Sequence, residues 1–385
     1  MSKVIYIAHY DTPNSTERRS YSPAAAAKIG YIADAIAACG HRVELISASN
    51  SLETRPCSGG SREISENVVL TTLPSLGRGG RLHNLVDSAL FALRLHRYLM
   101  RYVQDGDTVL AYHSLVLMRT VKRLKKRKKI RLLLETEEIY GDVTGNHACV
   151  RRELRFFDCA DAYIFPTALL DEKINRERKP SVLIHGTYRV EQRREERFDD
   201  GKIHCVYAGT LDPRKGGALA AAGAAQFLPE TYHIHILGFG STAQKETLLA
   251  EIGKHGGKRV SFEGEKKGEE FVRFLQRCDI GLSTQNPDAD FNATSFPSKI
   301  LTYMANGLGV VSIRIPAVET SAVGSLVTYY DSQTPQCIAY AIMSAAERKR
   351  DNRNEINALH ERFLGEMSEL LHESNAENQC DRAGL

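Results

Sequence analysis

Residues 294–312 read TSFPSKILTYMANGLGVVS. Pro297 suits the first turn of a helix, where the missing N–H costs nothing. Ser295 precedes it as a candidate N-cap. Phe296, Ile300 and Tyr303/Met304 recur at helical spacing and give a buried face. Ser298 and Thr302 are four apart and share another face. Gly307 stops the helix, and Val310-Val311 opens a strand. The free N–H groups of such a helix start, with the dipole behind them, attract an anion. Lys299 adds a mobile positive charge beside them. A helix start followed by an apolar strand is also the rhythm of an α/β sheet.

Working backwards, residues 203–217 read IHCVYAGTLDPRKGG. The run 203–208 is a short apolar strand rich in β-branched and aromatic residues. A turn follows from Gly209 and Thr210 through Pro213. Arg214 and Lys215 then precede Gly216-Gly217 and an alanine-rich helix to about residue 227. Strand, glycine turn, cations and helix start make a pyrophosphate cradle; the same pattern also describes a surface loop with two solvated cations.

The N-terminal half repeats the strand–helix alternation. Strands are expected at 4–9, 41–46, 107–112, 131–135, 161–165 and 181–185, with a helix at 24–39 ending in Gly40. Such alternation predicts a parallel, doubly wound sheet. Ligands of these sheets bind beyond the carboxyl ends of the strands. His113 follows one strand, and neutral imidazole exchanges one hydrogen bond with a sugar hydroxyl or phosphate oxygen. Glu135, Glu137 and Glu138 close another; a carboxylate there could orient or deprotonate an acceptor hydroxyl, and acids also suit a helix start. The loop 10–22 offers Asp11, Asn14, Ser15, Thr16, Arg18 and Arg19 on an acceptor side.

The ordered set of motifs across about residues 200–315 resembles the C-terminal half of family-4 glycosyltransferases (glycosyl transferases group 1), which have the GT-B fold. It comprises Gly209-Thr210-Leu211 with Lys215-Gly216, then Leu237-Gly238-Phe239-Gly240 and Phe262-Glu263-Gly264. Cys278-Asp279-Ile280-Gly281-Leu282 and Ser298-Lys299 leading to Gly307-Leu308-Gly309-Val310-Val311 complete it. The resemblance implies that Gly238 and Gly240 let backbone approach a nucleotide, and that Gly264, Glu265 and Lys266 edge its base. It implies a histidine, here His113, near the donor sugar. Two family glutamates fall on Thr294 and Thr302, and a family arginine falls on Thr210, with Arg214 adjacent to replace it. Threonine can hydrogen-bond a hydroxyl but carries no charge.

At 385 residues, two domains of ordinary size are expected. These are 1–186 on the acceptor side, a charged linker 187–201, 202–354 for the nucleotide-sugar, and 355–385 as a terminal helix and polar tail. The helix carries Ile356, Leu359, Phe363, Met367 and Leu370 as an apolar stripe. Net charge is +8 through His185 and −4 beyond it, which gives the +4 of the whole chain. Residues 122–131, KRLKKRKKIR, hold eight of the cations, and Arg94, Arg97 and Arg101 share a face of a helix expected at 82–103. Anionic lipid would attract this surface; a solvated helix end explains it equally. No aromatic residues interleave the run, which argues against nucleic acid. The eight cysteines are scattered without a C-x-x-C, and no paired histidine spacing is identified. A reduced, cytoplasmic protein without structural zinc is the simplest inference. Asp288-Ala289-Asp290 has the spacing of a metal-binding Asp-x-Asp, but metal independence is the expectation, with no cofactor.

These observations converge on an α/β GT-B protein: two Rossmann-like doubly wound domains facing a central cleft, the final helix returning to the first. The expected activity is retaining transfer of a hexose-type sugar from a nucleotide-diphosphate donor, a UDP-sugar foremost. The acceptor would be a glycan or lipid-linked molecule of surface polysaccharide biosynthesis, met in the cytoplasm or on the inner face of the membrane. Lys215, His113 and Glu135 are the catalytic candidates. A nucleotide-sugar epimerase of related fold, or a non-catalytic sugar-nucleotide binder, are the alternatives.

Overall fold

The apolar run Lys3–Ala8, strand β1, lies near the middle of an eight-stranded sheet. The other strands of this sheet are β2 (Arg42–Ser47), β3 (Gly60–Ser65), β4 (Val68–Thr72), β5 (Thr108–Tyr112), β6 (Arg131–Glu135), β7 (Ala162–Phe165) and β8 (Ser181–Leu183). Their order is β3-β4-β2-β1-β5-β6-β7-β8, and every pairing is parallel except β3 with β4. Val4, Ile5, Tyr6 and Ile7 are all buried, as expected of a strand covered on both faces. The computed structural model describes residues 2–13, 15–214, 217–254, 259–287, 294–348 and 350–383, with side chains to residue 372.

The chain divides into two units: Met1–Pro166, Leu170–Ile184 and Arg362–Leu385 form the first, and Thr167–Leu169 with His185–Glu361 the second. In the first, strand-to-helix connections place helix Pro23–Ala38 after β1; its proline sits at the start and Gly40, at φ +86°, ends it. The β3–β4 hairpin is absent from the sequence expectations. GSREIS is polar and largely exposed, so an edge strand of this kind carries no alternating apolar signal. The last helix, Arg353–Ala383, begins in the second unit and from Arg362 onward belongs to the first. There Phe363 stacks on Tyr31 with ring centroids 5.8 Å apart, and Arg131 donates to the Leu370 carbonyl at 2.6 Å.

The second unit is a six-stranded parallel sheet in the order β11-β10-β9-β12-β13-β14. Its strands are β9 (Ile203–Thr210), β10 (Tyr232–Phe239), β11 (Val260–Gly264), β12 (Ile280–Ser283), β13 (Gly309–Ile313) and β14 (Thr328–Tyr330). The order reverses between β9 and β12, so a crevice is expected beyond the carboxyl ends of those two strands. Residues 187–201 hold no helix or strand. They lie along the second unit, with Glu191 N–H on the Ala305 carbonyl, Arg194 N–H on Gln276 Oε1 and Arg197 on the Gln276 carbonyl.

The basic run is partly consumed by structure. Lys125, on helix Met118–Arg127, pairs with Asp161 and donates to the Ile130 carbonyl at 2.7 Å. Lys126, Arg127 and Lys129 stay exposed. Helix Arg81–Tyr102 carries a feature the sequence analysis missed: Leu82, Leu85, Val86 and Leu93 are exposed at helical spacing, Leu82 to 80%. No helix among the described residues is long and apolar enough to cross a membrane.

Candidate active site

The carboxyl end of β9 is built by two tyrosines. Tyr207 donates its hydroxyl hydrogen to the Thr210 carbonyl at 2.9 Å and accepts from the Gly217 N–H at 3.1 Å. Tyr303 accepts from the Ala208 N–H at 2.8 Å and donates to the Leu282 carbonyl at 3.3 Å. Together they tie the end of β9 to the end of β12. Neither tyrosine is singled out by sequence, because an aromatic residue in a strand or on a helix face reads simply as core.

Two glycines are required for this closeness. A Cβ on Gly238 would stand 1.9 Å from the Gly209 carbonyl oxygen, and one on Gly217 would stand 1.6 Å from the Thr284 carbonyl oxygen. Backbone therefore approaches backbone at the site, leaving N–H and C=O groups near any ligand. Beside them lies a hollow of about 170 Å³ lined by Leu211, Pro213, Gly217, Ala218, Asn286 and Gln333. Gln333 holds its floor by donating to the Thr284 carbonyl at 2.7 Å.

Lys299 reaches into this region. Its Nζ lies 4.4 Å from the centroid of the Tyr207 ring, and 3.3 Å from where a methyl on Gly209 would sit. No carboxylate pairs with it among the described residues. Burial lowers its pKa to about 8, because the charged form loses water without gaining an anion. A buried ammonium over an aromatic face is satisfied only in part.

The helix behind Lys299 differs from expectation. It spans Lys299–Ala305, with Ser298 as N-cap and no side-chain cap bond. Pro297 lies outside it, and Ser295 does not cap it. The Pro297 carbonyl accepts from the Ile300 N–H at 3.0 Å, a three-residue turn, and the helical pattern begins with the Ser298 carbonyl. A residue before proline avoids the helical region, and Phe296 stacks on His185 with centroids 4.9 Å apart. Ser298 and Thr302 do share a face: the Thr302 hydroxyl bonds the Ser298 carbonyl at 3.4 Å. The Thr294 carbonyl accepts from the Thr167 hydroxyl at 2.7 Å.

The remaining donor-side residues fall as follows. The Thr210 hydroxyl accepts from the Asp212 N–H at 3.1 Å. Arg214 is exposed and held in a two-point pair by Asp212, with contacts of 3.1 and 2.8 Å. Gly240 packs against Gln244 and Leu211. Gly264 has φ +73° and ends β11; beyond it Glu265 pairs with Lys267, and Lys266 with Glu270. Lys215, Asn14, Asp288 and Asp290 lie outside the described residues.

In the first unit the strand ends carry buried acids. Glu135 is fully buried, accepts from the Tyr6 hydroxyl through Oε2, and has no bonded partner at Oε1. Burial, with the charge of Glu137 beside it, pushes its pKa up to about 8. Glu137 itself pairs with Lys28 from the first helix. Glu138 is half-buried. Asp11 is buried, accepting from Arg62 at 3.1 Å and the Thr12 N–H at 2.8 Å, while its Oδ2 has no bonded partner. His113 is only 2% exposed; its Nε2 meets Glu153 at 2.8 Å, and Phe156, Phe157 and Tyr140 enclose the ring. Glu153 is a buried carboxylate that the sequence does not advertise. It also accepts the Tyr140 and Gly141 N–H groups, at 2.9 and 2.7 Å.

Residues 202–347 match the glycosyl transferases group 1 family. The whole chain has the GT-B fold. Its fold is shared with sucrose-phosphate synthase from Thermosynechococcus elongatus, at TM-score 0.72 and 16% identity over 98% of this chain and 100% of that one. An E. coli trehalose-6-phosphate protein bound with UDP-2-fluoro glucose matches at TM-score 0.61 and 12% identity, covering 97% and 98%. A UDP-forming α,α-trehalose-phosphate synthase from Burkholderia xenovorans, in complex with glucose-6-phosphate, matches at 0.65 and 11%, covering 97% and 100%. No curated protein matches the sequence. The group 1 match coincides with the unit that carries Lys299, Gly209 and Gly238.

Proposed function

We propose that this protein is a glycosyltransferase that takes a hexose-type sugar from a UDP-sugar and retains its anomeric configuration, with the diphosphate held by the second unit. The observation that carries the proposal is Lys299: a half-buried lysine with no carboxylate partner among the described residues, its ammonium over the Tyr207 ring at the end of β9. The difficult step of such a transfer is departure of the diphosphate. Lys299, with Lys215 and the amides near Gly209 and Gly238, stabilises the negative charge that grows on it. Ser298, Thr294 and Thr302 supply neutral hydroxyls for ribose and sugar. Gly264 and Lys266 edge the base. No metal or cofactor is required. Glu135, Asp11, Asn14, Glu137 and Glu138 serve the acceptor side in the first unit, and His113 is the candidate for the donor sugar.

A lipid-linked or glycan acceptor at an anionic membrane surface is the first reading. It is supported by the exposed stripe Leu82, Leu85, Val86 and Leu93, which has Arg81, Arg97 and Arg101 on the same helix. An amphipathic helix of this composition lies in a lipid interface. A sugar phosphate is the second reading, favoured by the glucose-6-phosphate complex of a structural neighbour. The deciding experiment is release of UDP from UDP-glucose with each acceptor class in turn. Thermal shift with UDP, GDP and ADP runs beside it, since a ligand of the folded state raises its melting temperature. Stabilisation by none of the three nucleotides would remove the donor assignment.

A further inference from the structure

Three strands of the second unit turn an unusual set of side chains to one face. His204 on β9 pairs in register with His233 on β10, and His235 pairs with Ser261 on β11. Side chains two apart on a strand share a face, so His233, His235, Ser261 and Glu263 converge with His204. The pair His233-Ile234-His235 is the histidine spacing passed over in the sequence, because its neighbours are apolar and it reads as strand.

With both imidazoles neutral, the contacts assign their hydrogens as follows. The Asp200 carboxylate meets His204 Nε2 at 2.8 Å, so His204 donates from Nε2. His204 Nδ1 then accepts, and His235 Nε2, 2.9 Å away, donates to it. His235 Nδ1 is left with a lone pair, 2.9 Å from Glu263 Oε1 and 3.3 Å from Ser261 Oγ. The Ser261 hydroxyl donates to Glu263 Oε1 at 2.6 Å and lies 2.8 Å from His233 Nε2. Three contacts in the chain Asp200–His204–His235–Glu263 share only two imidazole hydrogens. One positive charge is missing between His235 Nδ1 and Glu263 Oε1.

We propose that His233, His235 and Glu263 form a binding site for a divalent transition-metal ion of the zinc class. One ligand atom from each lies within 4.8 Å of the other two. Tetrahedral zinc, with bonds of about 2.1 Å, brings ligand atoms to about 3.4 Å from each other, so closure takes a small movement of the half-buried His233. Two imidazoles and a carboxylate are the donor set of zinc-type ions rather than of magnesium or calcium. Ser261 Oγ is an adjoining fourth donor atom. Asp200, bonded to His204, sets the His235 tautomer through it, as outer carboxylates do for metal-bound imidazoles. Phe198 stacks on His204 and His235 at 4.0 and 4.9 Å, and Phe274 meets His235 edge-on at 5.1 Å, which holds the rings in orientation. The site joins β10 and β11 and, through Asp200, the segment 187–201. It precedes Gly264 by one residue, so an ion there stiffens the turn that begins the loop to Lys266. No step of sugar transfer passes through it.

The test uses the full chain without an affinity tag, stripped with chelator, and two probes: Zn2+ by calorimetry and Co2+ by visible absorption. One ion per chain is expected, with the absorption of tetrahedral Co2+ and a raised melting temperature. His233→Ala and Glu263→Gln, both at half-buried positions, weaken Zn2+ binding by more than about tenfold. Asp200→Asn, which leaves all three ligands intact, weakens it by about 10- to 100-fold. Absence of Zn2+ and Co2+ binding by the wild-type chain overturns the proposal, and a proton then supplies the missing charge. Wild-type affinity in both ligand variants overturns it as well, since the ion then sits elsewhere.

Discussion

The Nζ of Lys299 stands 4.4 Å over the Tyr207 ring, and the same tyrosine hydroxyl holds the Thr210 carbonyl and the Gly217 amide. One aromatic side chain thus seats a cation on its face and ties the turn after β9 with its hydroxyl. Lys299→Met removes the charge while keeping the volume. A charge-assisted contact is worth about 1.5–3 kcal/mol, so UDP affinity falls on the order of 10- to 100-fold. Melting temperature without ligand stays or rises, because a buried charge without a counter-ion is removed. Calorimetric titration with UDP on both proteins checks this, and equal affinities would falsify the role.

The pH dependence follows from the same residue. Its pKa of about 8 lies below the ordinary lysine value of 10.5. Between these values the unfolded chain holds a proton that the folded chain has released. In that window the free protein gains stability from this group as pH rises. Nucleotide binding runs the other way, since only the ammonium attracts the diphosphate. UDP affinity should fall above about pH 8 in the wild type and stay flat in Lys299→Met. A matched pair of titrations across that range reads the difference.

Gly217→Ala tests the backbone contact. Its Cβ would meet the Thr284 carbonyl oxygen at 1.6 Å, a backbone atom that cannot rotate away. Overpacking of this kind costs about 1–3 kcal/mol. Urea denaturation should show that loss, and UDP binding should weaken with it. Gly253, where nothing stands within 4 Å, is the control; Gly253→Ala leaves both unchanged or gains slightly from helix propensity.

Glu135 gives a second pH signature. Its pKa, raised to about 8 from an ordinary 4.5, means that the folded chain keeps a proton which the unfolded chain has lost. Stability therefore declines as pH rises through that window. Glu135→Gln imitates the neutral acid, so the decline in melting temperature from about pH 5 to about pH 8 is smaller than in the wild type. Identical profiles would show that Glu135 is ionised in the folded chain.

The membrane reading is tested on the exposed stripe. Leu82→Ser with Leu85→Ser should reduce co-sedimentation with anionic liposomes. Neutralising Lys126, Lys128 and Lys129 should weaken it chiefly at low salt, as surface charges are screened at higher ionic strength. Unchanged sedimentation in both variants would leave the stripe without a lipid role.

Much of the fold was legible because parallel strands buried on both faces are continuous apolar runs. β1, β5, β6 and β9 fall within two residues of their expected bounds. The β3–β4 hairpin was not, since an exposed edge strand needs no apolar face. Of the site, Lys299 and the glycines were visible as a phosphate pattern. The anchoring by Tyr207 and Tyr303 was not, because a tyrosine hydroxyl reaching a distant backbone leaves no local spacing. The histidine face failed for the same reason: its partners sit on three strands.

The division of helix Arg353–Ala383 between the units bears on how the protein is made. Phe363, Met367 and Leu370 are buried in the first unit, yet they emerge from the ribosome after all of the second. The first unit must wait, with part of its apolar surface bare, until nearly the whole polypeptide has been translated. Nascent chains halted before Arg362 should be the ones that chaperones hold.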